Sequence, residues 1–280
     1  MKIAIIITTP DFAGLNIKEN LLEICRFSET GDDYAGYPIF KKDDANRVMI
    51  YTTDERCIYL ENLHDKIDAD LFIIPTTHRS ESGKRTLSCH TQGNWNKADL
   101  GGVPKTLSIA PAFYLKKAIE RMVSIQKEIG LDYEPTLECT HHGPQLEAPT
   151  LFIEIGSSEK EWKDKSAGKA VAKVILDLLD FQPNKTGWKA AIGIGGSHYC
   201  NTFNKIMLRT DIAIGHICPK YMIESIDKDM IMQAIEKTQP RPELIVLDWK
   251  GLSGCKEKIK LILDEIGIAY DRAEKILKEN

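Results

Sequence analysis

No apolar run in this chain is long enough to cross a bilayer. The run opening M-K-I-A-I-I-I-T-T-P-D stops at Thr8 and Pro10, too short for a membrane span or a signal-peptide core, so it reads as a buried first strand of a cytoplasmic protein. Cysteine occurs only seven times in 280 residues, at Cys25, Cys57, Cys89, Cys139, Cys200, Cys218 and Cys255. That odd, scattered set has no C-x-x-C pair, which argues for reduced thiols and against a structural zinc finger. Also missing are H-E-x-x-H, the G-K-S/T of a Walker loop, G-x-G-x-x-G and G-x-S-x-G, and with them the short signatures of zincins, P-loops, dinucleotide folds and nucleophile elbows. A surplus of positive charge is lacking too: at a net charge of -4, any nucleic-acid contact must be a local patch.

What the chain does have is clustered histidine. Six of seven histidines fall in three polar segments: His78 and His90 in 76–95, His141 and His142 in T-H-H-G-P, and His198 and His216 in G-I-G-G-S-H-Y-C and G-H-I-C-P. Histidine binds transition metals and moves protons near neutral pH, and here it recurs where apolar runs stop. His64, in E-N-L-H-D-K, reads as a surface residue.

Hydrophobic residues make up 42% of the chain. Strand-like runs are expected at 3–8, 47–52, 71–75, 105–109, 136–140, 150–155, 189–194, 211–215 and 244–248. Several are nearly continuous in apolar residues, as in strands covered on both faces. Helical stripes lie between them, over 112–129, over 159–180 behind a Ser158-x-x-Glu161 capping box, and around Ile259 to Ile266. The alternation predicts an α/β fold with a mixed, largely parallel sheet covered by helices. One domain over 1–280 is expected, with Q-P-N-K-T-G at 182–187 as the junction of an N- and a C-terminal half. The segment 77–104 reads as a long polar loop, and its histidines and Trp95 favour a functional one.

Glu154 interrupts T-L-F-I-E-I-G where a strand gives way to Gly156, and a carboxylate there needs a cation, a metal or a strong donor as partner. Glu138 leads into His141 and His142, of which one is expected to act as ligand or base and the other to orient or pack. The turn carrying Gly195, Gly196 and Ser197 beside His198 has the form of an oxyanion- or phosphate-binding turn.

Taken in order, T-T-H-R-S-E-S-G, L-S-C-H-T-Q-G-N-W, T-H-H-G-P, F-I-E-I-G-S-S-E-x-E-W, G-I-G-G-S-H-Y and A-I-G-H-I resemble the archaeal and plant type of D-aminoacyl-tRNA deacylase over nearly the full chain. The resemblance implies hydrolysis of the ester joining a D-amino acid to the acceptor end of tRNA. It also implies bound zinc and a fold related to peptidyl-tRNA hydrolases and nucleoside phosphorylases. It implies no membrane or protein partner. Local chemistry assigns the roles: His78, His141, His198 and Glu154 around the ester; His90, His142 and His216 as metal ligands; Gly195, Gly196 and Ser197 as donors to the oxyanion. Lys84, Arg85, Lys116, Lys117 and Arg121 would meet the tRNA backbone. Two rivals remain: a zinc-dependent peptidase or amidohydrolase on small substrates, which would use the same histidines without the basic loop, and a non-catalytic tRNA-binding or metal-binding module, which would need no histidine-lined pocket.

Overall fold

In the computed structural model, which describes residues 1–44 and 47–279, I-A-I-I-I-T forms the strand Ile3–Thr8, with every residue buried. Parallel partners Val48–Thr53 and Leu71–Arg79 flank it, which is why its run is apolar on both faces. Eight strands make up this sheet, in the order Glu134–Leu137, Thr86–His90, Thr150–Ser157, Leu71–Arg79, Ile3–Thr8, Val48–Thr53, Tyr37–Lys42 and Phe27–Tyr34. A second sheet, Ile212–Cys218, Lys189–Ile194, Leu244–Leu247 and Ala269–Arg272, is wholly parallel. The expected α/β class with a mixed, largely parallel sheet is what the chain adopts.

Helices Phe12–Ile24, Ala112–Ile129 and Lys165–Leu179 cover one face of the large sheet. Leu115, Ile119 and Met122 on the middle helix share one core with Ile153 and Ile155 of the first sheet and Ile212 and Ile214 of the second. The two halves on either side of 182–187 thus share a hydrophobic core. On the other face of the large sheet, Ala4, Ile6, Phe72, Ile74 and Phe152 form a smaller apolar cluster. Farther along the same face the residues turn polar, at Thr76, His78 and Glu154. There the chemistry is concentrated.

Several boundaries differ from the sequence reading. The segment 77–104 is not one loop: Thr86–His90 is a fully buried strand between Glu134–Leu137 and Thr150–Ser157. Only Leu87 and Cys89 face the apolar core, and the alternate Thr86, Ser88 and His90 carry no hydrophobic signal. Trp95 is structural, buried with its indole N–H on the Ile217 carbonyl at 3.2 Å. The helix expected over 159–180 is broken into Glu159–Trp162 and Lys165–Leu179, because Asp164 accepts from Ser166 N–H and starts a new helix. Ser158 bonds the Glu161 carboxylate and not a backbone amide, so no side chain caps the first piece. A hairpin, Phe27–Tyr34 and Tyr37–Lys42, turns through Ala35 and Gly36, both at positive φ.

Candidate active site

Strand pairing assembles the site. Glu154 pairs with Thr76 on one side and Ser88 on the other, and one step along Gly156 faces His78. A Cβ on Gly156 would stand 2.4 Å from Thr86 Oγ1 and 2.9 Å from His78 Cδ2, so the approach of His78 requires glycine. Glu138 follows the Glu134–Leu137 strand and is anchored by its N–H on the Cys89 carbonyl. The backbone then turns at His142, whose φ is +47°, which lets His141 and His142 serve one site. His198 arrives from the second half, past the Lys189–Ile194 strand, and its carbonyl accepts from Cys139 N–H.

Glu138 is the hub. Its Oε2 lies 2.8 Å from His198 Nε2 and 3.6 Å from His141 Nε2. Its Oε1 stands 3.0 Å from His78 Nδ1, out of line for a hydrogen bond, and has no other partner although buried. Glu154 contacts His78 Nδ1 at 3.3 Å and His90 Nε2 at 3.3 Å. Burial alone would push the His78 imidazole down, but Glu138 and Glu154 outweigh it and lift the group to about 11. His198 is likewise opposed by burial yet raised to about 10 by Cys139 and Glu138. Burial and then the charge of His90 hold His141 well below its ordinary value and His142 at about 4. Against the penalty of burial, both carboxylates are held below the ordinary range, Glu138 by His198 and His78, Glu154 by His78 and His90.

His90, His141 and His142 bring ring nitrogens within 4.8 Å of one another, as do the donor atoms of His78, Glu138 and His198. In the first trio every Nδ1 meets a backbone carbonyl: Thr91 at 3.1 Å from His90, Cys139 at 2.8 Å from His141, and Gly143 from His142. A carbonyl only accepts, so each Nδ1 carries the proton. The Nε2 lone pairs of neutral His141 and His142 are then left facing the same space, with His90 Nε2 beside them on Glu154. Carbonyl-oriented imidazoles of this kind are how proteins present nitrogen to a transition metal. The imidazole donor set suits zinc.

The fold gathers His78, His90, His141, His142, His198 and Glu154 into this site, and does not bring the other candidates to it. His216 is fully buried, with Nδ1 on Thr140 Oγ1 at 3.2 Å and Nε2 on the Ser108 carbonyl at 3.0 Å. Both nitrogens are taken, which removes it as a ligand. In the glycine turn, Gly195 N–H is spent on the Cys218 carbonyl at 2.8 Å and the bend packs on Asp248, so Gly195, Gly196 and Ser197 do not line the cleft. Lys116 is corrected too: it is 1% exposed, and its ammonium bonds the Met207 and Thr210 carbonyls at the end of helix Asn201–Arg209. Lys117 sits over the Phe181 ring and Arg121 pairs with Asp177 at 2.6 Å. Arg85 lies among Asp132, Glu161 and Asp164 and over Tyr133, and Lys84 is 3.6 Å from Glu134. Neither lines the histidine cleft.

Two contributors carry faint sequence signals. Tyr199 adjoins His198 in sequence, and its hydroxyl meets His78 Nε2 at 3.0 Å and donates to Ser80 Oγ at 3.0 Å. Asp11, before the first helix, lines the cleft and accepts from Gly14 N–H, Thr77 N–H and the hydroxyls of Thr76 and Thr77.

The model of the D-aminoacyl-tRNA deacylase family matches residues 65–270. The D-aminoacyl-tRNA deacylase of Thermococcus onnurineus is 38% identical over 276 residues, which cover 96% of this chain and 98% of that one. For the Methanosarcina acetivorans protein of the same name the identity is 34%, over 100% and 93%. A crystal structure of a conserved protein of unknown function superposes with a TM-score of 0.90 at 30% identity, over 99% of this chain and 97% of that one.

Proposed function

The chain belongs to the D-aminoacyl-tRNA deacylase family and is a hydrolase of D-aminoacyl-tRNA, releasing free D-amino acid and tRNA; we propose that it does this chemistry in the histidine and carboxylate cleft around Glu138. The observation that carries the assignment is the contact of His78, His141 and His198 with one buried carboxylate, beside a second carboxylate, in a cleft of about 650 Å³. With family membership, neither a peptidase of small substrates nor a non-catalytic module is favoured.

An aminoacyl ester is activated, so modest assistance suffices. Hydrolysis adds water to the carbonyl carbon, breaks its bond to the ribose oxygen of the acceptor end, and delivers a proton to that oxygen. His198, with 32% of its side chain exposed, is the member best placed to move that proton: Glu138 orients it through Nε2, and Nδ1, which among the described residues meets only the Cys139 thiol at 3.4 Å, is the nitrogen left to exchange it. His78 is fixed between the two carboxylates, and its Nε2 leads through Tyr199 and Ser80 toward Ser82 at the surface. That chain of donors can carry a proton to solvent. His141 and His142 would hold zinc through Nε2, joined by His90 once its Nε2 gives up the proton it shares with Glu154; the ion would supply Lewis acidity to the ester carbonyl. A cytoplasmic location, where charged tRNA is found, belongs to the same proposal, and the free cysteines support it.

Glu138→Gln tests the proposal. It keeps the shape but removes the charge that orients His198 and His78, and turnover of D-tyrosyl-tRNA should fall about 100-fold, the scale of losing a general acid-base partner. Retention of full activity by a folded Glu138→Gln protein would move the chemistry out of this cleft.

A further inference from the structure

The histidine cleft continues to an exposed rim, where Phe12 is 45% and Leu100 55% accessible and where Arg56 and Arg79 are both exposed. Arg56 and Arg79 each lie over an aromatic ring, and beside the rim Lys163, paired with Glu159, lies over Phe12. The Arg79 guanidinium is 5.5 Å from the Trp162 ring centre, Arg56 is 5.7 Å from that of Tyr59, and Lys163 is 4.4 Å from that of Phe12. Tyr59 is itself 51% exposed. Among the described residues neither Arg56 nor Arg79 has a carboxylate within ion-pair distance, whereas Arg85 and Arg121, away from the cleft, are both paired.

We propose that this rim receives the single-stranded 3′-terminal nucleotides of tRNA, with Arg56 and Arg79 on the phosphates and Phe12 and Tyr59 as stacking faces. The inference rests on the substrate reading above and says where that substrate enters. An unpaired nucleotide offers a charged phosphate and a flat base, and the surface that suits it combines unpaired cations with open aromatic planes. A scattered exposed aromatic or arginine is ordinary on a protein surface. Here the cations and rings converge on the cleft that holds the reacting groups, and the scissile ester is joined to the last nucleotide, so that nucleotide and its neighbours must pass the rim. Leu100 forms one wall, held because its carbonyl accepts from Gly143 N–H at 2.9 Å and because Glu61 ties Gly102 and Gln145 together. The chain's net charge of -4 favours such a local contact over a broad basic face.

The test compares Arg56→Ala/Arg79→Ala and Phe12→Ala with Arg241→Ala, an exposed cation elsewhere on the surface. On D-tyrosyl-tRNA the double variant should raise KM about tenfold or more with kcat within about threefold, and flatten the dependence of log(kcat/KM) on log salt by about 1.4 units, as expected for two lost single-strand phosphate contacts. Phe12→Ala should raise KM without changing the salt slope, and Arg241→Ala should change neither. Uncharged tRNA should inhibit the wild-type enzyme competitively, and trimming its unpaired 3′ end should weaken inhibition about tenfold. Equal inhibition by trimmed and intact tRNA, or an unchanged KM in the double variant, overturns the proposal while leaving the deacylase reading intact. Failure of the wild-type protein to release D-tyrosine from D-tyrosyl-tRNA at all would instead remove the reading on which it rests.

Discussion

Two buried charges show how differently this fold uses ionised side chains. Glu138 is surrounded by imidazoles and keeps one oxygen without a hydrogen bond, while Lys116 is spent on the carbonyls that end a helix. Both residues interrupt apolar surroundings, and only the environment tells a reactive site from a structural one. Lys116→Met should leave KM for charged tRNA unchanged while stranding the Met207 and Thr210 carbonyls, at a cost of roughly 2 kcal/mol. For a chain of this size that is a fall in melting temperature of roughly 3 to 4 °C, readable by calorimetry. A raised KM with normal stability would return Lys116 to the tRNA surface. Glu154 is legible in the sequence because a carboxylate breaks an apolar run. Glu138 gives a weaker signal, just past a short strand in T-L-E-C, and lies even closer to the centre of the site.

At the scale of elements, the sequence makes visible those strands with a nearly continuous apolar run, Ile3–Thr8 and the 151–155 stretch of Thr150–Ser157 above all. It hides Thr86–His90, which lies between two strands but turns Thr86, Ser88 and His90 toward the site, so hydrophobic periodicity reports only Leu87 and Cys89. The glycine turn is misleading for a different reason. Glycine spacing says that a backbone can bend and says nothing about which carbonyl its N–H will meet, here that of Cys218. Likewise the spacing of six histidines cannot show that His216 is turned away from the other five. The close approach at Gly156 gives an element-scale prediction. Gly156→Ala forces a methyl against Thr86 and His78, two neighbours fixed in adjacent strands. Turnover of D-tyrosyl-tRNA should drop about tenfold or more even where circular dichroism shows native secondary structure. Unchanged kcat would mean that His78 need not hold this position.

At the scale of the whole molecule, the site exists because two halves meet: the large sheet supplies His78, His90, Glu138 and Glu154, and the C-terminal half supplies His198 and Tyr199. Zinc should be found by elemental analysis in protein purified without a histidine tag, and His142→Ala should reduce its content. Metal-free protein with full activity in chelator would leave the imidazoles to acid-base and positioning roles. The central claim, that this cleft releases D-amino acids from tRNA and spares L-forms, is tested most directly by initial rates on matched D- and L-tyrosyl-tRNA for wild type and His78→Ala. A contact favouring the D side chain alone would yield only about 1 to 3 kcal/mol of preference, so rejection of the L side chain by the wall of Leu100 and the His141–Pro144 turn must do more. Release from the D-ester should be rapid, release from the L-ester slower by at least about 100-fold, and His78→Ala should lose about 100-fold on the D-ester. Comparable rates on the two enantiomers, or undiminished release by folded His78→Ala protein, would contradict it.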